Sequence, residues 1–300
     1  MLPEKLCDSK KTVFSHADCF NSNPPELVRA YFQPNDILKM HMHEFYEINI
    51  IVNGHGRHFI GDGYVTAQTG SVFVIPPRLK HGYVADETLD IFHILISFAF
   101  INQFSEQLSN LKGYHVLFDI EPFLRADNNL PIKIMLSQKQ LKDLSNIFNL
   151  LSQKSKDQNQ QYEKCFLTLY VITQLCNSVD VRGTAKHPQI NCHAYTEILK
   201  AMEFIHHNLA KKMELKDLCE ICHMSSSALV RNFKTVSKFT PAQYITHCRL
   251  EKAASLIVSG HLSLTDIAQE CGFYDSAHFN KLFTKAYGVT PKSYINKRSV

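Results

Sequence analysis

The chain has 300 residues, of which 45% are hydrophobic and 20% charged, with a formal net charge of +4. That composition excludes a disordered or low-complexity chain and gives enough length for two separate cores. No run of about 18 apolar residues occurs, so no membrane-spanning helix is expected.

The charge is unevenly placed. Residues 193–300 carry 14 Lys and Arg against 9 Asp and Glu, whereas residues 1–192 carry 18 against 19. The basic excess therefore sits where a polyanion partner would need it, although it is modest. The first residues, MLPEKLCDSKK, contain no apolar core, so no secretory signal is expected. Nine cysteines then read as reduced thiols of a cytoplasmic protein. Residues 1–35 read as a polar N-terminal arm, with Asn23-Pro24-Pro25 as a turn or extended piece.

Residues 36–130 are expected to form a β domain. Ile48 to Val52 is apolar and stops at Asn53-Gly54, which signals a turn. Gly61-Asp62-Gly63 is a second turn, Val72 to Ile75 ends at Pro76-Pro77, and Leu89 to Phe98 is a long apolar run. Short strands with glycine turns suggest a sandwich or barrel. His41, His43 and Glu47 are all odd-numbered, so an extended strand points them to one face. Gly54 follows Glu47, and later come Gly70, Pro76 and His81. This set resembles the two motifs of the cupin barrel over roughly residues 36–100. Arg78 and Ala85 depart from it, standing where the second motif usually has glycine and asparagine. Three readings stay open for the set. His41, His43, Glu47 and His81 suit a divalent metal, which is how cupin enzymes use these positions. With Arg78 they also suit hydrogen bonds to a small polar effector on apolar walls. They could equally be retained residues of the barrel mouth with no ligand.

Residues 131–182 turn helical. Leu141, Leu144, Phe148 and Leu151 follow heptad spacing on one helix, and Cys165, Leu169, Ile172 and Cys176 make a stripe on the next. Ser155 to Gln161 is the polar loop between them. The stripes can serve as a dimerisation hairpin or can pack on the chain's own barrel. Residues 183–192, which overlap the non-periodic stretch Val181 to Pro188, read as a linker.

Residues 193–300 contain a duplicated unit. Leu215, Asp217, Leu218, Cys219 and Cys222 match Leu264, Asp266, Ile267, Ala268 and Cys271 at an offset of 49. After one extra residue in the second turn the offset becomes 50, pairing Leu229 with Phe279, Phe233 with Phe283 and Tyr244 with Tyr294. Each copy reads as two short amphipathic helices joined by a tight turn. Asp275 or Ser276 is placed to cap the second helix of the later copy. Thr240-Pro241 and Thr290-Pro291 read as N-cap followed by first helical residue, where proline loses no hydrogen bond. Cys219-Glu-Ile-Cys222-His223 matches a c-type haem attachment pattern, but both cysteines occupy core positions of the repeat, so the match is set aside.

With Ile267-Ala268, Gly272-Phe273, Phe283, Gly288, Thr290-Pro291 and Tyr294 in one copy, and Ser225, Leu229, Arg231, Phe233-Lys234, Pro241, Tyr244 and Arg249 in the other, residues 194–298 resemble the AraC/XylS family of bacterial transcription regulators. The N-terminal part looks similar to its sugar-sensing members, including those that sense rhamnose. Lys238 departs from the family, which usually has glycine there. The resemblance implies a cupin-like β-barrel with a helical hairpin, followed by an all-α domain with two helix-turn-helix motifs. It implies an effector-controlled regulator, an activator by expectation, that binds double-stranded DNA, contacts RNA polymerase and forms a homodimer. Arms like residues 1–35 sometimes close over the effector in that family. The recognition helices would be about 226–236 and about 276–286. Ser227, Val230 and Arg231 would reach bases in one groove, and Ala277, His278 and Lys281 in the next. Ser226, Lys234 and Lys285 are candidates for phosphate contacts, and Ser276, at the start of the second helix, is also expected to bind DNA. No cofactor is required on this reading. The competing class is a metal-dependent isomerase or dioxygenase fused to a DNA-binding tail.

Overall fold

The computed structural model describes residues 13–20, 26–61, 63–126, 134–155, 157–179, 192–259 and 262–296. The first twelve residues of the expected arm, Asn23-Pro24-Pro25 and residues 183–191 of the expected linker lie outside the described residues. The chain divides into two compact units, Met1–Thr184 and Ala185–Val300. Among the described residues no helix is long and apolar enough to cross a membrane.

The first unit is built on strands β1 (Val13–Phe14), β2 (Val28–His43), β3 (Tyr46–Ile60), β4 (Gly63–Gln68), β5 (Val72–Ile75) and β6 (His81–Ile96). They form a six-stranded sheet in the order β1-β2-β6-β3-β4, with β5 also paired to β3. All pairs are antiparallel except the two-residue β1, which lies parallel to β2. Alternation along the central strands sorts the two faces. Ile48, Ile50, Phe92 and Ile94 face the helices that follow the sheet, in a fully buried cluster. Their neighbours Glu47, Asn49 and His93 face the other way and are also buried.

Three expectations need correction. Strand β2 begins at Val28, and β1 and the short helix α1 (His16–Phe20) precede it, so the sheet starts inside the stretch read as an arm. Asn53-Gly54 does not end a strand. The pairing of β3 with β6 shifts register there and β3 runs on to Ile60, so the pair marks a bulge. Gly54 has φ +86°, and a Cβ on it would lie 2.0 Å from the Thr88 carbonyl oxygen. The strong turn signal thus reflects backbone crowding within a continuous strand; the chain reverses at Gly61 to Gly63 instead. The third correction concerns residues after Ile96. They are helical and not part of the sheet: α2 (Phe98–Gln103), α3 (Ser105–Ser109), a π-helix at Val116–Ile120 and α4 (Glu121–Ala126).

The hairpin consists of α5 (Gln138–Ser152) and α6 (Gln158–Asn177). Ser137 and Gln140 form a reciprocal capping box at the start of α5, and Asp157 caps α6. Leu144, Phe148 and Leu151 are buried in the same cluster as Ile50 and Phe92, and the Phe148 ring stacks on Phe92 at 4.4 Å. Cys165, Ile172 and Cys176 join that cluster from α6. The stripes read as a dimer seam therefore pack on the chain's own sheet.

The second unit contains α7 (Cys192–His207), α8 (Leu215–Cys222), α9 (Ser226–Ser237), α10 (Pro241–Ser259), α11 (Leu264–Glu270), α12 (Ser276–Tyr287) and α13 (Pro291–Asn296). Thr240 Oγ1 accepts from the Gln243 amide and Thr290 Oγ1 from the Ser293 amide, so each Thr-Pro opens a helix. The two copies end their second helices alike but with different residues. Gly288 closes α12 at φ +70°, and Lys238 closes α9 at φ +64°. Glycine takes that left-handed conformation freely, whereas a side chain crowds its own carbonyl there. Lys238→Gly should therefore stabilise the second unit by about 1 kcal/mol, seen as a higher denaturant midpoint of the full chain. An unchanged or lower midpoint would show that the Lys238 cap carries no strain.

Candidate functional site

The polar face of the sheet converges on Glu47, which is 3% exposed. Strand register makes this happen: His41 on β2 lies opposite His81 on β6, and Glu47 on β3 opposite Leu95. His43 Nε2 and His81 Nε2 each lie 3.2 Å from Glu47 Oε2, and His93 Nδ1 lies 2.7 Å from Oε1. Four sequence-expected residues, His41, His43, Glu47 and His81, are thus brought together. Arg78 is not. It is exposed, at φ +68°, on the loop after β5, and its backbone N–H donates to the His43 carbonyl. It holds the loop against β2 and does not line the pocket.

Sequence reasoning missed His93, which completes the set. Its imidazole stacks on Tyr31 with centroids 4.9 Å apart. The only sign of it in the sequence is one histidine in the apolar run Ile91-Phe-His-Ile-Leu, a polar residue that a doubly buried strand would have to satisfy. Asn49 and His58 were missed as well. Asn49 donates to the Tyr83 hydroxyl at 3.1 Å, and the His58 ring stacks on Tyr83 at 4.2 Å. Behind them Arg125 of α4 is fully buried. Its Nε donates to Glu121, and its terminal nitrogens reach the Val74 carbonyl and His58 Nδ1.

A cavity of about 460 Å³ opens onto this face. Its polar lining includes Tyr31, Gln33, His41, His43, Glu47 and His93, and its apolar lining includes Ile37, Leu38, Phe45 and Leu95. Phe14 of β1 and Cys19 of α1 also line it, and the Phe14 ring meets His41 edge-on at 5.5 Å. A few polar groups on apolar walls at this volume suit a small polar molecule.

The tautomers add a constraint. Nδ1 of His41, His43 and His81 faces the carbonyl oxygens of Lys39, Phe45 and Leu79 at 2.8, 2.7 and 3.2 Å. A carbonyl only accepts, so each Nδ1 carries the proton, and in the neutral ring Nε2 presents a lone pair. Two such lone pairs facing a carboxylate oxygen need a cation or proton donor between them. The ligand atoms of His41, Glu47 and His81 lie within 4.8 Å of one another. Neutral imidazoles fixed through the far nitrogen, beside a carboxylate, fit a divalent metal.

Burial pushes His81 down to about 3, against a smaller upward pull from Glu47. It also lowers His41. For Glu47 burial acts upward, and the surrounding imidazoles outweigh it to hold the carboxyl well below the usual range, a pull that for His43 and His81 requires a cation or proton between their lone pairs and the carboxylate.

In the second unit the expected DNA-contacting positions are surface positions of α9 and α12. Ser226, Ser227, Arg231 and Lys234 are exposed and Val230 is half-buried. Ala277, His278, Lys281 and Lys285 are exposed and Ser276 is half-buried. The opposite faces are fixed by Leu229, Phe233, Phe279 and Phe283, each fully buried. Ser225 caps α9, and Asp275, whose carboxylate accepts from the His278 amide at 2.6 Å, caps α12. Helix α10 packs against both recognition helices. The Cys222 thiol faces the core and donates to the Glu197 carbonyl, while Cys219 lies beside Ser226.

Residues 218–297 match the family described as a helix-turn-helix domain, and residues 24–161 match the AraC-like ligand binding domain. The HTH-type transcriptional activator RhaR of Mannheimia succiniciproducens is 29% identical over 292 residues, covering 94% of this chain and 96% of its own length. The activator RhaS of an Enterobacter species is 25% identical over 285 residues, with the same two coverages. Among solved structures, the C-terminal domain of AraT, a response regulator from Geobacillus stearothermophilus, is 28% identical, covers 34% of this chain and 85% of its own, and has a TM-score of 0.33.

The buried imidazoles make stability depend on pH. Burial first, and Arg125 second, hold His58 well below 6.5. The unfolded chain takes up that proton near 6.5 and the folded chain does not, so the unfolded state binds more protons in acid. Stability is complete above 6.5 and falls below it. The thermal midpoint should drop between pH 7 and pH 5, and His58→Phe, which keeps the stack on Tyr83, should flatten that drop. A wild-type midpoint constant over this range, or an unaltered slope in the variant, would show that His58 ionises freely in the fold.

Proposed function

The chain belongs to the AraC family of effector-controlled, DNA-binding transcription regulators, and from that premise we propose that it is an activator whose N-terminal pocket takes a small polar effector of the sugar class. The observation that carries this reading is the convergence of His43, His81 and His93 on the Glu47 carboxylate at a cavity of about 460 Å³. Hydroxyl groups can donate both to Glu47 and to the Nε2 lone pairs of the imidazoles, so a polyol supplies the proton donors that this set lacks. Tyr31 and Phe45 give flat apolar walls for the carbon face. A divalent cation held by His41, His43, Glu47 and His81 is compatible with the same reading. It would neutralise the carboxylate and offer the effector's oxygens a positive charge. The enzyme alternative also starts from this ligand set; stoichiometric Fe, Mn, Ni or Zn together with turnover of a substrate would favour it. The named relatives are transcriptional activators.

The DNA is read by α9 and α12. Helix α10 has 19 residues and so spans about 28 Å, close to the roughly 34 Å between successive major grooves on one face of B-DNA. Arg231 has the geometry to pair with guanine, while Lys234 and Lys285 are suited to phosphates. Ligand binding shifts the balance between arrangements of the protein, and so its occupancy or its contact with RNA polymerase, in the cytoplasm where promoter DNA lies.

The homodimer is assigned to the outer face of the hairpin. Tyr162, Phe166 and Tyr170 are spaced four apart on α6 and are 44%, 61% and 48% exposed. With Ile147 they line an open groove of about 590 Å³, and Leu150 of α5 is exposed as well. An aromatic stripe of this kind on a surface suits a self-complementary contact between two copies.

Two experiments test these assignments. A thermal-shift screen against sugars identifies the inducer, and Glu47→Ala or His43→Ala should then abolish promoter response while leaving operator affinity intact. Normal induction in both variants would remove the pocket from the mechanism. Phe166→Glu should give a folded monomer by sedimentation, with a thermal midpoint close to that of wild type. A variant that still sediments as a dimer would place the interface elsewhere.

A further inference from the structure

The two helix-turn-helix copies differ by one residue, and the backbone identifies which. In the first copy the Met224 amide donates to the Cys219 carbonyl, and Ser225 caps α9. In the second the Phe273 amide donates to the Ala268 carbonyl, and Asp275 caps α12. Met224 and Phe273 are therefore equivalent, as are Ser225 and Asp275, which leaves Tyr274 as the inserted residue. It is 95% exposed, whereas the next most exposed large apolar side chain among the described residues is Phe166 at 61%. The inserted residue is thus a whole aromatic side chain held in solvent next to the cap of a recognition helix.

Its position selects the partner. A recognition helix enters the groove with its N-terminal residues, so the residue just ahead of its cap stands beside a groove wall, which is sugar and phosphate. A tyrosine hydroxyl donates readily to a phosphate oxygen. Asp275 cannot share that role, because its carboxylate would repel phosphate and is engaged by the His278 amide. We propose that Tyr274 is a DNA-positioning residue, whose hydroxyl donates to a backbone phosphate flanking the box read by α12, a contact the first copy lacks. The proposal rests on the reading that both copies engage DNA.

The experiment uses full-length protein on a duplex bearing both boxes. Tyr274→Ala should bind about tenfold more weakly, the low end for one hydrogen bond to a charged acceptor. The loss should be equal across sequence variants of the box. Tyr274→Phe should fall with it. Because tyrosine is neutral, the salt dependence of binding should keep its slope, unlike Lys285→Ala, which should lower it by about one. Ethylation interference should mark one phosphate at the second box with wild type and not with Tyr274→Ala. Thermal midpoints of both variants should match wild type, since the side chain is 95% exposed among the described residues. Wild-type protection of only one box overturns the two-copy reading and this proposal together. Protection of both boxes with unchanged Tyr274→Ala affinity overturns this proposal alone. So does a Tyr274→Phe protein that binds like wild type, or a loss confined to one base-pair position.

Discussion

A carboxylate inside a sheet is expensive, and the first unit is arranged around compensating for one. Removing an ionised group from water costs several kcal/mol or more unless partners replace the solvent. Glu47 obtains its partners from two other strands: His43 on β2, and His81 and His93 on β6, which lies between β2 and Glu47's own strand β3. A slip of one residue in either pairing would turn the imidazoles onto the helix-covered face and leave the charge alone. Correct register and an intact pocket are therefore the same condition. The apolar side of the sheet enforces it independently, because Ile48, Ile50, Phe92 and Ile94 must reach α5 and α6 in the same registration.

Much of this was legible in the residues. The odd spacing of His41, His43 and Glu47 gave a common face, and the repeat at offsets 49 and 50 gave the second unit down to the turn in which the copies diverge. His93 and His58 were not legible, because each reaches the site through strand pairing and not through local spacing. Arg125 was hidden for a similar reason: it arrives from α4, more than sixty positions along the chain from His58. The Asn53-Gly54 pair misled because a turn and a bulge ask the same thing of the backbone. At α5 the heptad pattern identified a buried stripe correctly but could not say what buries it. The partner was the chain's own sheet, and the exposed aromatics of α6 lay on a different face.

Behind the pocket the polar network continues. His58 stacks between the pocket side and Arg125, which is fixed to Glu121 and to the Val74 carbonyl. Burial raises the Glu121 carboxyl and Arg125 pulls it back, so the pair is sustained by mutual contact and not by solvent. Breaking either half would strand a charge in the core, which is more damaging than removing both. The π-helix at Val116–Ile120 leads directly into this pair. The wall of the pocket and α4 are thereby held in one packed body.

The two-residue strand β1 has a practical bearing on how the sensor unit can be isolated. Its pairing with Met42 and His43, the Glu44 amide bonded to the Phe14 carbonyl, and the Arg29 side chain donating to the Cys19 carbonyl fasten residues 13–20 along the edge of β2. A fragment trimmed to start at Val28 would retain all the imidazoles and Glu47, and by sequence inspection would look whole. It would lack Phe14 and Cys19 and so lose one side of the cavity, leaving the ligand-facing groups open to water. Affinities measured on such a fragment would describe a shallower, wetter site than the one the full chain presents.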